Sequence, residues 1–438
     1  MNPTDRAHQA TKLDAITGRF DPVLLLVTLA LAGLGVVMVA SSSIAIAEGL
    51  DVGPFYFLTR HLVFLAIGGG LAWALMRMEL KIVEKYSHLL LAMCFVMLLV
   101  VFLPGIGRSV NGAQRWINIG IAGFQAVEAV KLMFIIWLAS YLVRYRDEIA
   151  QQWMALIKPL GVAAAIVVLL LLQPDFGSAA LLLAITGGMV WLGGARIRNL
   201  LIPGLVALPL LAIVAIAEPY RVRRLTSFRD PWADPFNDGF QLTQALIAIG
   251  RGEWFGVGLG GSVQKLFYLP EAHTDFIFSV TAEELGFAGS FAIIALFAVF
   301  TWRAFNIGLR AVEMRRHFAG FCAFGVGFWV SLQAFVSIGV NLGLLPTKGL
   351  TLPLISSGGS SVMMTCVAIG LLLRVSYELD RAERQVARLR GAGLAAPETG
   401  DDRVETAAPA SSSPAVAPSA MGPRGSRHRI EPKIGAVA

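Results

Sequence analysis

The chain has 438 residues, of which 56% are hydrophobic and 15% charged, with a mean hydropathy of +0.68. Soluble domains are about 45–50% apolar and about a quarter charged, so composition excludes a soluble enzyme and describes a polytopic membrane protein. The net charge of +7 does not point to nucleic acid, because the basic residues fall in short clusters between apolar runs, as the positive-inside rule requires. Cys94, Cys322 and Cys366 lie far apart in apolar runs, with no disulfide or zinc spacing, and read as free buried thiols.

A membrane span needs about 20 mainly apolar residues. The candidates, in chain order, are Pro22–Ala45, Phe55–Met76, Tyr86–Leu103, Ala126–Val143, Pro159–Leu172, Phe176–Leu192, Asn199–Ala217, Phe276–Thr301, Phe318–Val340 and Ser360–Leu373. The expected fold is therefore all-α, with about ten transmembrane helices. Ala45-Ile46-Ala47 resembles a signal-peptidase site, but the first run is too long for a signal-peptide core and reads as a retained anchor. Lys and Arg cluster before the first span and after the second, fourth, sixth, eighth and tenth. Those loops are assigned to the cytoplasm, with both termini. The opposite loops are poor in cations except at Arg108 and Arg115 and in the long segment 218–274 between spans seven and eight, which carries Arg221, Arg223, Arg224, Arg229, Arg251 and Lys265.

That long periplasmic loop contains the turn-rich stretch Asp230–Phe240, a possible amphipathic helix over Gln241–Ile249, and glycines at 250, 252, 256, 258, 260 and 261. The glycines allow two readings: close approach of backbone to a phosphate, or a flexible re-entrant turn. Gly256, Gly258 and Gly261 match a dinucleotide fingerprint only loosely and follow no strand. Residues 391–438 turn to Ala, Pro, Ser and Gly and read as a disordered cytoplasmic tail. Residues 1–21 form a cytoplasmic N-terminal segment.

Ionisable groups in or beside the bilayer are costly and are candidate functional groups. Asp275, with Glu271 and His273 just upstream, stands where the long loop meets the apolar run from Phe276. Glu128 and Lys131 share one helix face, as a structural pair or a ligand site. Asp175 sits in the turn QPDFGS and needs no role beyond capping a helix. Glu283 and Glu284 lie roughly 12 Å below Asp275 along the helix, and Lys348 is the expected cation to pair with one of them. The stretch Ile355–Ser361, ISSGGSS, opens the last span with amide and hydroxyl donors, Ser360 among them. Gly286, Gly289, Gly320, Gly325 and Gly327 allow close helix approach, either to a partner's anchor or inside the bundle. The group as a whole suits transfer from a lipid-linked pyrophosphate to a hydroxyl, with Asp275 as base and Arg221, Arg223, Lys131 and Lys348 facing the leaving group. A transporter with charges midway across the membrane fits nearly as well.

At these residues the sequence resembles the SEDS family (shape, elongation, division and sporulation) of bacterial peptidoglycan polymerases, over about residues 20–385. The marks are NGAQRWI (Asn111–Ile117), Gln125 with Glu128 and Lys131, QPDFGS (Gln173–Ser178), Phe240–Gly260, SVQKLFYLPEAHTDFIF (Ser262–Phe278), AEELG (Ala282–Gly286) and Leu344–Ser361. Elongation members usually have Arg where Ala272 stands, so the resemblance is to the division branch. The chain departs from the common pattern at Ala126-Val127 and at Ser357, where Tyr is usual. The resemblance implies a septal enzyme of the bacterial inner membrane that polymerises lipid II into β-1,4 glycan strands with inversion. Asp275 corresponds to the family's catalytic aspartate, acting on the acceptor hydroxyl. Lys131, Glu128, Arg221, Arg223, His273, Lys348 and Ser360 are candidates for substrate or pyrophosphate binding, and Glu283, Glu284 and Asp175 for structure or regulation. A divalent cation, Mg or Mn, is a possible cofactor. The implied partners are lipid II and the nascent strand, a class B penicillin-binding protein, other divisome membrane proteins and membrane lipid. A lipid II flippase and a non-catalytic division scaffold are the rival readings.

Overall fold

In lipid, a run of apolar residues satisfies its backbone only by closing hydrogen bonds within itself, and the apolar runs here do so as helices. The computed structural model describes residues 16–110, 113–118, 123–217, 219–346 and 349–394. In chain order its helices are α1 (Pro22–Gly49), α2 (Tyr56–Arg77), the short α3 (Leu80–Lys85), α4 (Ser87–Val100), α5 (Ala126–Arg144), α6 (Arg146–Gln151), α7 (Ile157–Leu172), α8 (Phe176–Leu192), α9 (Ile197–Ala217), α10 (Pro219–Arg229), α11 (Phe240–Arg251), α12 (Ile277–Glu313), α13 (His317–Asn341) and α14 (Gly359–Leu394). Among the described residues seven helices are long and apolar enough to cross a membrane: α1, α2, α5, α7 with the 3-10 turn before it, α12, α13 and α14. The apolar helices α4 and α8 are shorter, and α9 occupies the remaining expected run. Each of the ten expected spans thus corresponds to a helix. The fifth begins earlier than Pro159, at Ile157, led in by the turn Trp153–Leu156.

The order of burial follows from which helices are apolar all round. Helix α5 is 94% buried over its most apolar stretch, whereas α2 is 17% buried there. A helix enclosed on every side is a bundle's centre; α5 packs against α4, α8 and α13, and the others turn faces outward. The glycines noted for close approach are spent largely inside the bundle: a Cβ at Gly325 would meet Ile135 and Met189, and one at Gly327 would meet Ala304 and Phe305. Gly320 faces Val312, and Gly286 faces the backbone of residues 255–256. They do not form a lipid-facing stripe for a partner's anchor.

Two features were not expected. The loop between α4 and α5 forms a three-stranded antiparallel meander of β1 (Gly107–Val110), β2 (Ala113–Asn118) and β3 (Gly123–Gln125) in the order β1-β2-β3. At the opposite end of the bundle the residues before α1 are strapped to α14. The Asp21 carboxylate pairs with Arg303 and accepts from Leu24 N, capping α1, while its own amide donates to Ser376 Oγ at 3.2 Å. The Arg19 amide donates to Asp380.

The long loop is ordered into α10 and α11, the latter close to the expected Gln241–Ile249 and buried through Leu242, Ala245 and Ala248. Met1–Leu389 form one compact unit and Arg390–Ala438 a second. Helix α14 runs on to Leu394; the rest of the expected tail, like residues 1–15, lies outside the described residues.

Candidate active site

The chain enters α12 through the turn Leu269–Phe276, and this turn is held by its carbonyls. The Ser357 amide donates to His273 O at 2.9 Å, Ser356 Oγ to Thr274 O at 2.7 Å, and Asn341 Nδ2 to Asp275 O at 2.9 Å. Three consecutive carbonyls are thereby fixed by two different elements, the loop 349–358 and the end of α13. Asn341 also reaches the first turn of α12, where its Oδ1 accepts from Ser279 N at 3.1 Å and Ser279 Oγ at 2.8 Å. It thus serves a free amide of the helix start. Within the turn Glu271 takes a left-handed backbone (φ 58), and its carbonyl and carboxylate accept from Thr274.

Asp275 is half-buried just ahead of Phe276, the N-cap of α12, where the free amides of the first turn favour a carboxylate. Its Oδ2 faces Gly349 so closely that a Cβ there would lie 2.9 Å away. The His273 ring packs on Phe57 with centroids 4.7 Å apart. Burial pushes the imidazole below its ordinary pKa of 6.5; the Arg60 guanidinium acts in the same direction and Glu271 opposes both. His273 is thus held toward its neutral form beside an aspartate at a helix start. Arg60, in α2, was not among the sequence candidates.

Behind the turn lies a buried polar network. Lys131, fully enclosed, donates to Glu128 at 2.9 Å and to Gln333 Oε1 at 2.7 Å, and lies 4.8 Å from the Trp329 ring centre. Gln333 passes the connection on, donating to Thr351 O at 2.9 Å, while Thr351 Oγ1 donates to Ser361 at 2.9 Å. Since residues 356 and 357 hold the Asp275 turn, Lys131 and Glu128 support that turn through the 349–361 loop. They stand inside the bundle, 0% and 3% exposed, and not on the wall of an outer cavity as leaving-group contacts would. Ser360, also buried, is engaged by the Gln125 amide at 3.0 Å.

Glu283 and Glu284 are completely buried, and their cations differ from the one expected. Glu283 pairs with Arg251 at 3.0 Å and accepts from Ser262 Oγ and the amides of Val263 and Gln264. Glu284 pairs with Lys265 at 2.6 Å and accepts from Ser41 of α1. Lys348 itself lies outside the described residues. The reason for these pairs is the glycine-rich stretch, which packs against α12. Gly286 (φ 67) interrupts α12, and residues 252–258 dock on the break: Val257 N and Gly258 N donate to the carbonyls of Glu283 and Glu284, and Phe287 N and Ala288 N donate to those of Glu253 and Trp254. A Cβ at Gly252 would stand 1.9 Å from Ala282 O and one at Gly256 2.1 Å from Glu284 O. Close packing of backbone on backbone accounts for Gly252, Gly256 and Gly286.

Asp175 caps α8 by accepting from Ser178 N at 3.2 Å, as expected of a cap. Arg115 of β2 clamps the same turn, with Nε donating to Gln173 O at 3.1 Å, Nη2 to Pro174 O, and Nη1 lying 3.9 Å from Asp175. Arg223 is 61% exposed in α10 and lies 3.8 Å from Asp238; Arg221 belongs to the same helix, but its side chain lies outside the described residues. No trio of His, Cys, Asp or Glu able to hold a metal occurs among the described residues.

Comparison with known proteins agrees with this geometry. Residues 22–381 match the family described as "Cell cycle protein" that groups FtsW, RodA and SpoVE. A protein of Xanthomonas oryzae pv. oryzae, named "Probable peptidoglycan glycosyltransferase FtsW", is 60% identical over 408 residues, which is 93% of this chain and 83% of the relative. A protein of the same name from Thioalkalivibrio sulfidiphilus is 50% identical over 85% of this chain and 94% of its own. Among solved structures, a chain from a peptidoglycan synthase complex that coordinates polymerization and crosslinking superposes with a TM-score of 0.68 at 31% identity, covering 82% of this chain and 98% of that one. Thermus thermophilus RodA gives a TM-score of 0.61 at 30% identity, with 82% and 96% covered. The chain belongs to the FtsW/RodA/SpoVE family of cell cycle proteins.

Proposed function

We propose that this multi-pass membrane protein is a peptidoglycan glycosyltransferase that polymerises lipid II at the division septum. The observation that carries the reading is the Asp275 turn, whose three consecutive carbonyls are pinned by Ser357, Ser356 and Asn341. A base that must meet one hydroxyl in one orientation needs that fixity. In the reaction, the acceptor GlcNAc 4-hydroxyl attacks the donor MurNAc anomeric carbon. The O–H proton passes to the Asp275 carboxylate as the new β-1,4 C–O bond forms. The bond to the pyrophosphate breaks with inversion, and undecaprenyl pyrophosphate leaves with the electron pair. His273, which burial holds toward its neutral form, hydrogen-bonds the acceptor sugar beside the carboxylate. Arg221 and Arg223 of the loop 218–274, together with Lys348, are the candidate cations for the departing pyrophosphate, since Arg251 and Lys265 are engaged by Glu283 and Glu284.

The alternation of basic loops supports cytoplasmic termini and a periplasmic Asp275 turn, the side on which the nascent strand grows. The likeness to a synthase complex supports a class B penicillin-binding protein as the partner that crosslinks the product. The test is a purified complex of the two proteins given fluorescent lipid II in liposomes. Glycan polymer is the expected product; lipid II carried across the bilayer but left unpolymerised would replace this reading with the flippase one.

A further inference from the structure

At the end of the bundle away from Asp275, two adjoining cavities of about 450 and 410 Å3 share Arg146, Val312 and His317. Their walls come from α6, the last turns of α8 and α12 and the first turns of α13. One is charged, with Arg146, Glu313 and Arg315; the other is mainly apolar, lined by Leu192, Leu309, Phe321 and Phe324 together with Arg146 and Asp147. The neighbouring arginines Arg310 and Arg316 are each paired with a carboxylate of α14. Among the described residues Arg146, Arg315, Asp147 and Glu313 take part in no ion pair, although the four line one depression.

His317 indicates what belongs there. Arg146 Nη1 lies 2.7 Å from His317 Nε2, and a guanidinium can only donate. Nε2 must therefore accept, so Nδ1 carries the hydrogen. That N–H is enclosed and opens onto no cavity, so a neutral ring holds Arg146 and leaves its charge uncompensated beside that of Arg315. Together they call for an acceptor-rich anion, while Asp147 and Glu313 beside them call for a cation. We infer that this cavity binds the headgroup of an amine-bearing zwitterionic phospholipid. The phosphodiester sits on Arg146 and Arg315, the primary ammonium on Asp147 and Glu313, and an acyl chain runs along Leu309, Phe321 and Phe324. The net neutrality of the four charged side chains matches a zwitterion and opposes an anionic headgroup. The open edge at Leu309, which is 56% exposed, gives the chain a way in from surrounding lipid.

The test is native mass spectrometry of the purified, detergent-released protein titrated with phosphatidylethanolamine, phosphatidylcholine and phosphatidylglycerol of identical acyl chains. Phosphatidylethanolamine binds about tenfold more tightly than either, because a trimethylammonium cannot donate to the carboxylates and glycerol carries no charge for them. The variant Asp147→Asn/Glu313→Gln abolishes that preference and leaves the phosphate contacts. Arg146→Gln/Arg315→Gln weakens all three lipids by about tenfold or more. Unchanged unfolding midpoints identify both variants as folded. Equal retention of the three lipids by the unaltered protein, or a preference that survives the carboxylate variant, overturns the assignment. Displacement of the lipid by soluble glycerol phosphoethanolamine at matched concentration overturns the acyl-chain part of it.

Discussion

Asn341 gives the sharpest test of how the catalytic turn is built. It sits at the end of α13, fully buried, and holds both Asp275 O and the start of α12. Asn341→Leu keeps the volume and removes three tertiary hydrogen bonds: to Asp275 O at 2.9 Å, from Ser279 N at 3.1 Å and from Ser279 Oγ at 2.8 Å. At about 1 kcal/mol net for each bond, the loss is about 3 kcal/mol. Ser279 N keeps a second acceptor in Phe276 O at 3.1 Å, so the helix start survives and the main damage falls on the Asp275 carbonyl. Misplacing a catalytic group by about 1 Å can lower a rate by about 10²-fold. Asn341→Leu should therefore reduce the turnover of lipid II polymerisation by roughly that factor, with a lower unfolding midpoint and normal binding of the transpeptidase partner. Ser279→Ala, which removes one of the three bonds, should lose about 1 kcal/mol and most of its activity should remain. Wild-type turnover in Asn341→Leu would refute the idea that Asp275 is positioned through its own carbonyl.

Further expectations concern the supports of the site. Lys131→Met strands the buried Glu128 carboxylate and should destabilise by about 3–5 kcal/mol, and adding Glu128→Gln should restore much of it; an unfolding series in detergent that shows no recovery would contradict the pair's assignment. Gly256→Ala places a Cβ 2.1 Å from Glu284 O and should abolish stable accumulation. Gly258→Ala, with nothing within 4 Å but a φ of +95, should cost only about 1 kcal/mol of backbone strain; quantitative membrane immunoblots separate the two outcomes. His273 has a pKa below its ordinary 6.5, so the unfolded chain binds the proton more readily than the folded one. Its contribution to stability is complete above pH 6.5 and falls away as the pH drops toward the folded-state pKa. His273→Asn should flatten the stability profile in that window, and an unchanged slope would show that the ring is not held neutral.

The spans were legible because about 20 apolar residues admit one solution in lipid, and the position of Asp275 just ahead of a helix was legible because the apolar run begins at Phe276. The spacing of Glu128 and Lys131 also foretold their pairing, which depends only on helix geometry. What the pair connects to was not legible: Gln333, Thr351 and Ser356 join it to the Asp275 turn through contacts 18 to 202 residues apart, set by bundle packing. The same limit hid the loop cations that meet Glu283 and Glu284. Their cations, Arg251 and Lys265, come into range only because residues 252–258 dock at the Gly286 break, and a row of glycines does not say which backbone it will approach. The meander before α5 did carry a signal, the Asn111-Gly112 dipeptide between two short runs, a strong mark of a two-residue hairpin.

The central claim is that Asp275 removes the acceptor proton. The direct measurement is polymerisation of fluorescent lipid II by purified Asp275→Asn with its transpeptidase partner, beside the unaltered complex. The asparagine keeps the size and the backbone contacts and removes only the basicity. The account predicts normal accumulation, normal partner binding and a loss of polymerisation of about 10²–10⁴-fold, the usual contribution of a positioned base. Polymer formed at the wild-type rate by Asp275→Asn would contradict it and pass the role of base to another group.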